Sequence, residues 1–195
     1  MCEKKLILGS GSPRRKEILS SIWDGEIQVI KSDVEEVYPD DLALEKIPIY
    51  LAKQKGEDLK ARVNLTDDIL ITADTIVLCE GRVLCKPKNA EDAKVMLEFL
   101  SNKVHQVHTG VAIYINNQVI EIEEKTDVHF GNIDIEAIDY YIKKYQPLDK
   151  AGSYGIQEFI GMIGIEKIDG CFYNVMGLPA SRVWGELISI SNITT

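Results

Sequence analysis

Near the start of the chain, Ser10-Gly11-Ser12-Pro13-Arg14-Arg15 assembles the parts of an anion cradle. Ser12 is a good helix N-cap, and Pro13 suits the first helical position. The unpaired N–H groups and positive dipole end of such a helix favour a phosphate. Small residues let the phosphate approach the backbone. Arg14 and Arg15 add guanidinium forks that match its oxygens, and they are two of only five arginines in the chain. The run is neither G-x-G-x-x-G nor a Walker A sequence. A plain cap followed by a solvated basic turn fits it as well.

Asp74 lies in Thr72-Ala73-Asp74-Thr75-Ile76-Val77, a charged residue inside the most apolar stretch of the sequence. A carboxylate buried there needs a cation or hydrogen-bond donors. It can hold a divalent metal or act as a general base on water, or it can simply pair with a nearby lysine. Lys55 and Lys86 are candidate point charges for phosphates, against a bland reading as snorkelling surface lysines. Glu35 and Glu36 sit in an acidic loop, Asp33–Asp41, that either binds metal or is merely solvated. In Asp149-Lys150-Ala151-Gly152-Ser153-Tyr154-Gly155-Ile156-Gln157, the amide of Gln157 both donates and accepts, which suits the edge of a pyrimidine. His105 and His108 are three apart on an expected strand and point to opposite faces. With His129 they read as structural, and no H-E-x-x-H or G-x-S-x-G motif occurs.

These residues need a scaffold. Leu6-Ile7-Leu8 reads as a short buried strand leading into the Ser10 turn. Pro48 opens a helix that runs to about Arg62 and carries Lys55. Ile69 to Cys79 is a buried, β-branched strand carrying Asp74. Glu80-Gly81 turns the chain into a short return strand at Val83-Leu84, and Asn89 caps a helix with Ala93, Met96, Leu97 and Leu100 on one face. Two alternating stretches, Val104 to Ile115 and Val119 to Phe130, form a hairpin through Asn116-Asn117. Asp134 caps a helix with Ile138, Tyr141, Ile142 and Tyr145 inward. Gln146 to Gly155 is a loop, followed by an irregular Gly-rich strand region to Val175. A last helix from Pro179 uses Val183, Trp184, Leu187 and Ile188. This order predicts an α/β fold with a mixed sheet in one domain, residues 1–195.

The 195 residues carry 22 Lys plus Arg against 31 Asp plus Glu, a formal charge of −9. That balance argues against a nucleic-acid partner and against docking on an anionic membrane. It is silent about a small phosphorylated substrate, because a local basic cluster outweighs net charge. No apolar run reaches the ~18 residues of a membrane span, and Leu6-Ile7-Leu8 is too short for a signal peptide. Cys2, Cys79, Cys85 and Cys171 match no zinc spacing and read as thiols of a reducing cytosol.

Taken together, the motifs resemble one family. Ser10-Gly-Ser-Pro-Arg14-Arg15, Leu51-Ala-Lys-Gln-Lys55, Ala73-Asp74-Thr75-Ile-Val77 and Lys86-Pro87 are followed by His105-Gln-Val-His-Thr-Gly-Val111, Asp149 to Gln157, and Tyr173-Asn-Val-Met-Gly-Leu-Pro179. These blocks run in the order of the Maf family of nucleoside triphosphate pyrophosphatases and extend from residue 8 to about residue 188. The resemblance implies a mixed, curved sheet with flanking helices, in two lobes around a deep cleft (Maf/ITPase-like), as a cytoplasmic homodimer. It implies cleavage between the α- and β-phosphates in a house-cleaning role, with a divalent cation, Mg²⁺ or Mn²⁺. By the same resemblance Asp74 is catalytic and a metal ligand with Glu36, Glu35 being the alternative. Ser10, Arg14, Arg15, Lys55, Thr75, Lys86 and Gln157 bind substrate, with Arg14, Thr75 and Gln157 setting specificity.

The D-K-A-G-x-Y-G-I-Q block resembles the dTTP/UTP sub-class rather than the C-A-G type of the 7-methyl-GTP enzymes. Two departures stand out: Gly9 where the family usually has Ala, and Glu158-Phe159 where Gly is usual after Gln157. The alternative function is a nucleotide-binding regulator of division and septum formation with little turnover. A metal phosphatase or a kinase is the other rival, and the missing Walker motif disfavours the kinase.

Overall fold

The computed structural model describes residues 5–63, 65 and 68–193, with the backbone alone at 191–193; Cys2 lies outside them. Among the described residues seven strands form one mixed sheet, ordered β2-β1-β3-β5-β6-β7 with β4 paired to β3. The strands are β1 (Leu6–Leu8), β2 (Ile27–Val29), β3 (Ile69–Cys79), β4 (Arg82–Leu84), β5 (Val104–Ile115), β6 (Gln118–Phe130) and β7 (Ile165–Asp169). The helices are α1 (Pro13–Ile22), α2 (Ile47–Lys60), α3 (Ala90–Leu100), α4 (Ile135–Tyr145), α5 (Phe159–Gly164), α6 (Phe172–Met176) and α7 (Ala180–Ile193). β1 runs parallel to β2 and β3, whereas β3/β4 and β6/β7 are antiparallel. The α/β class with a mixed sheet is therefore as the sequence predicts. No helix among the described residues is long and apolar enough to cross a membrane.

The chain divides into two compact units, 1–74, 109–124 and 177–195 forming the first, and 75–108 and 125–176 the second. In the first, β1 registers Leu6 against Ile69 and Leu8 against Ile71 of β3. Its core gathers Ile7, Leu70, Ala112 and Tyr114 from strands with Ala52 and Leu59 of α2. The buried Thr72 hydroxyl donates to the carbonyl of Ala52 at 2.7 Å, and Tyr114 donates to the carbonyl of Lys53 at 3.1 Å. Helix α2 is thus tied to the sheet along the turn that leads to Lys55. Helix α1 packs with α7, which turns Val183 and Leu187 inward but leaves Trp184 and Ile188 exposed. The sequence expectation for those last two fails because the buried stripe of α7 follows Val183, Leu187 and Ile190 instead.

In the second unit α3 packs against α4 and against the 3₁₀ turn Ala151–Ser153. Asn89 caps α3 by accepting from the backbone N–H of Asp92 at 2.8 Å. Asn174 of α6 donates to the carbonyl of Val107 and to Thr126 Oγ1, anchoring that short helix on the strands. Residues 156–175 differ from the irregular strand that the glycines suggest: they form α5, β7 and α6. Helices of six and five residues are too short to show a helical period in sequence.

Candidate active site

β3 and α2 set the centre of the candidate site. Residues two apart on a strand share a face, so Asp74 points the same way as Thr72, towards α2. Thr72 meets Ala52, and one helical turn later Asp74 meets Lys55. The Lys55 ammonium stands 2.6 Å from Asp74 Oδ1 and 2.7 Å from Glu36 Oε1. Both partners of the inner pair are about nine-tenths buried, with 12% and 10% of their side chains exposed. Glu36 is more open and reaches in from the acidic loop; of the two loop glutamates it is the one that contacts Lys55.

The Ser10 turn stands beside this pair. Gly9 continues the ladder, its N–H donating to the carbonyl of Ile71 at 2.7 Å. A Cβ at position 9 would meet Thr72 Cγ2 at 2.6 Å and Leu59 Cδ1 at 2.7 Å. Glycine therefore suits the packing here, where the family usually has alanine. Ser12 caps α1, with Pro13 in its first turn. Ser10 is buried, and its Oγ accepts from the N–H of Ser12 at 3.3 Å and from Arg15 Nη1 at 3.0 Å.

Arg15 is a bracket. Its Nη1 also donates to the carbonyl of Ala73 at 2.8 Å, and its Nε donates to the carbonyl of Gly177 at 2.8 Å. One guanidinium thereby joins the turn, the residue before Asp74 and the chain entering α7. Burial pulls the Arg15 guanidinium below its ordinary pKa; Asp74 and Glu36 oppose the drop and Arg14 adds to it. Arg14, half-buried, occupies the first turn of the same helix.

Ser10, Arg14, Arg15, Glu36, Lys55 and Asp74 all belong to the first unit. Thr75, Lys86 and Gln157 belong to the second. Thr75 follows Asp74 on β3 and is half-buried, and Lys86 is exposed just past β4. Gln157 lies between the 3₁₀ turn and α5, and its Oε1 is buried without a hydrogen-bond partner. The bracketing carbonyls of Ala73 and Gly177 and the Thr72–Ala52 tie carry no sequence signal beyond their nearness to Asp74 and the Gly-Leu-Pro block. His105 is packed as a structural residue. His105 bonds Tyr154 through Nε2 at 2.7 Å, inside edge-on contacts with Phe130 and Tyr154. Cys79 is a buried free thiol and Cys171 a half-buried one.

The donor set suits a hard divalent cation. Two carboxylates converge on one cationic group, the Lys55 ammonium, and both are hard oxygen donors. Among the described residues no cluster of three or more His, Cys, Asp or Glu stands ready for a metal. An ion held by Asp74 and Glu36 would therefore take its remaining ligands from phosphate and water oxygens, as Mg²⁺ does with nucleotides.

A family model described as Maf-like protein matches residues 5–190. The chain is 48% identical to a dTTP/UTP pyrophosphatase of Parabacteroides distasonis, over 94% of each chain. It is 46% identical to one of Porphyromonas gingivalis, covering 94% of this chain and 92% of that one. A third relative of the same name, from Phocaeicola vulgatus, is 47% identical over 94% of each chain.

Proposed function

The chain belongs to the Maf family, and from that footing we propose that it is a nucleoside triphosphate pyrophosphatase acting on dTTP and UTP, and on modified pyrimidine triphosphates. Water attacks the α-phosphorus, the bond to the bridging oxygen breaks, and the products are the nucleoside monophosphate and pyrophosphate. The observation that carries the reading is the Lys55 ammonium held between Asp74 and Glu36, with the Arg15-braced Ser10 turn next to it. It supports the reading because a carboxylate, a helix N-terminus and cationic side chains belong to one compact unit.

Asp74 orients the attacking water and accepts its proton. Ser10, the N–H groups at the start of α1, Arg14 and Lys55 bind and neutralise the phosphates, stabilising charge that builds on the α-phosphate and the leaving pyrophosphate. Arg15 contributes charge while keeping Ser10 and the Ala73–Asp74 peptide in place. Asp74 and Glu36 would hold Mg²⁺ or Mn²⁺, which when bound supplies charge neutralisation at the phosphates and acidifies nearby water. From the resemblance, Thr75, Lys86 and Gln157 are further substrate contacts, Thr75 and Gln157 towards the base. The buried, unpaired Oε1 of Gln157 supports that role, since an orphaned acceptor awaits a donor. The reading carries with it a cytoplasmic homodimer, checked by sedimentation.

The test is a panel of ordinary and modified triphosphates, each with Mg²⁺ or Mn²⁺, with products separated by chromatography. dTMP plus pyrophosphate from dTTP is the expected result. dTDP plus phosphate, or no turnover at all, overturns it, the latter in favour of a nucleotide-binding regulator.

A further inference from the structure

Gln157 sits in a four-residue turn, Gly155 to Glu158, whose two ends both meet the Tyr141 hydroxyl. The N–H of Glu158 donates to the carbonyl of Gly155 at 3.0 Å, closing the turn. The Tyr141 hydroxyl, on α4, accepts from the N–H of Gly155 at 3.1 Å and donates to Glu158 Oε2 in a short hydrogen bond. Glu158 Oε1 in turn pairs with the Lys150 ammonium at 3.2 Å. Lys150 is a buried cation, 8% exposed, and Asp149 holds it from the other side at 2.7 Å. A Cβ on Gly155 would lie 2.7 Å from Glu158 Cδ, so the carboxylate packs directly on the glycine. Glu158 stands at the N-cap of α5 yet makes no cap bond with its side chain, because the carboxylate is turned to Tyr141 and Lys150. Burial, reinforced by Glu158, raises the Tyr141 pKa, so the hydroxyl keeps its proton as donor. The neighbouring pair does the same with apolar contact: Phe159 packs edge-on against Tyr140 at 5.0 Å.

Glu158-Phe159 is thus matched, residue for residue, by Tyr141 and Tyr140. We propose that Tyr141 and Glu158, braced by Lys150, are positioning residues that fix the Gln157 amide for pyrimidine recognition. The inference rests on the pyrophosphatase reading above and on Gln157 facing the base. A fixed frame matters because hydrogen-bond readout tolerates little displacement, while a loose amide adapts to several bases.

The experiment compares Tyr141→Phe and Glu158→Gln with the unaltered full chain, using dTTP, UTP, CTP and dCTP. Both kinetic constants and the melting temperature are measured. Tyr141→Phe removes the central hydroxyl. It is expected to raise KM for dTTP and UTP about tenfold and to erode the preference over CTP and dCTP, with kcat within about twofold. Glu158→Gln still offers an oxygen to Tyr141 and keeps most of that preference. It stands in should Tyr141→Phe fold poorly, a smaller KM rise with a correspondingly smaller but measurable erosion then being the expected result. Unchanged KM and unchanged base preference overturn the positioning role, as does a fall in kcat or melting temperature with base preference intact. Absence of turnover in the unaltered chain overturns the pyrophosphatase reading and this inference with it, so the two failures are told apart.

Discussion

Lys55 and Asp74 meet end to end, ammonium to carboxylate at 2.6 Å, one from α2 and one from β3, and both nearly buried. A buried pair of this kind is held by geometry rather than by large net attraction, since desolvation offsets most of the Coulomb gain. Glu36 makes it a triad with one positive and two negative groups. The one surplus negative charge is of the sign that a divalent cation would offset.

Replacing Asp74 by Asn keeps size and hydrogen bonding but removes the charge and the base. Lys55 retains Glu36 as partner, so the fold survives. Pyrophosphate release from dTTP should fall by about 10²–10⁴-fold, the range of a general base, or more if the metal is lost as well. Release near that of the unaltered chain would sink the assignment of Asp74.

Lys55→Gln leaves the Asp74 carboxylate buried without its cation and should destabilise the protein by about 3–5 kcal/mol. Mg²⁺ or Mn²⁺ can then take the place of the ammonium. The melting temperature of the variant should rise more on adding either ion than that of the unaltered chain. An equal or smaller rise would show that the ammonium does not stand where the cation binds.

Chelation with EDTA should stop turnover, and Mg²⁺ or Mn²⁺ should restore it. Glu36→Gln should raise the metal concentration for half-maximal rate by at least the roughly tenfold typical of lesser, outer-sphere changes at metal sites. Glu36 is half-exposed, so its loss should leave the melting temperature nearly unchanged. A rate that is indifferent to EDTA removes the metal from the mechanism.

Much of this scaffold is legible in the chain. β3 spans Ile69–Cys79 because its apolar, β-branched run has clear ends; of the two long hairpin strands β6 alternates, whereas β5 is buried without a break from Val107 to Ile115. Asn89 and Ser12 cap helices because their side chains replace missing backbone partners. Less legible is the stretch after Ile156, where three short elements follow one another and tertiary contacts, such as Asn174 on Val107 and Thr126, decide the backbone. The same holds at the site. Residue types nominated Asp74 and Lys55 separately, but their meeting depends on the Thr72–Ala52 tie, and no local pattern reports it. The Tyr141–Glu158 bond spans 17 residues, and its only trace in sequence is the unusual Glu after Gln157.

His105 sets an acid limit on stability. It is 1% exposed, and Nε2 is bonded to Tyr154 while Nδ1 has no partner. Burial, with a smaller contribution from His129, lowers its pKa from 6.5 to about 4. Between those values the unfolded chain carries a proton that the folded chain does not. Stability is therefore complete above about pH 6.5, and it falls as pH drops towards 4. The whole interval is worth about 3 kcal/mol. Urea unfolding at several pH values across that window should show the slope in the unaltered chain. His105→Gln, which cannot titrate, should flatten it, at some cost in packing against Phe130 and Tyr154 that does not vary with pH. An unchanged slope in the variant would mean that His105 does not carry the acid sensitivity.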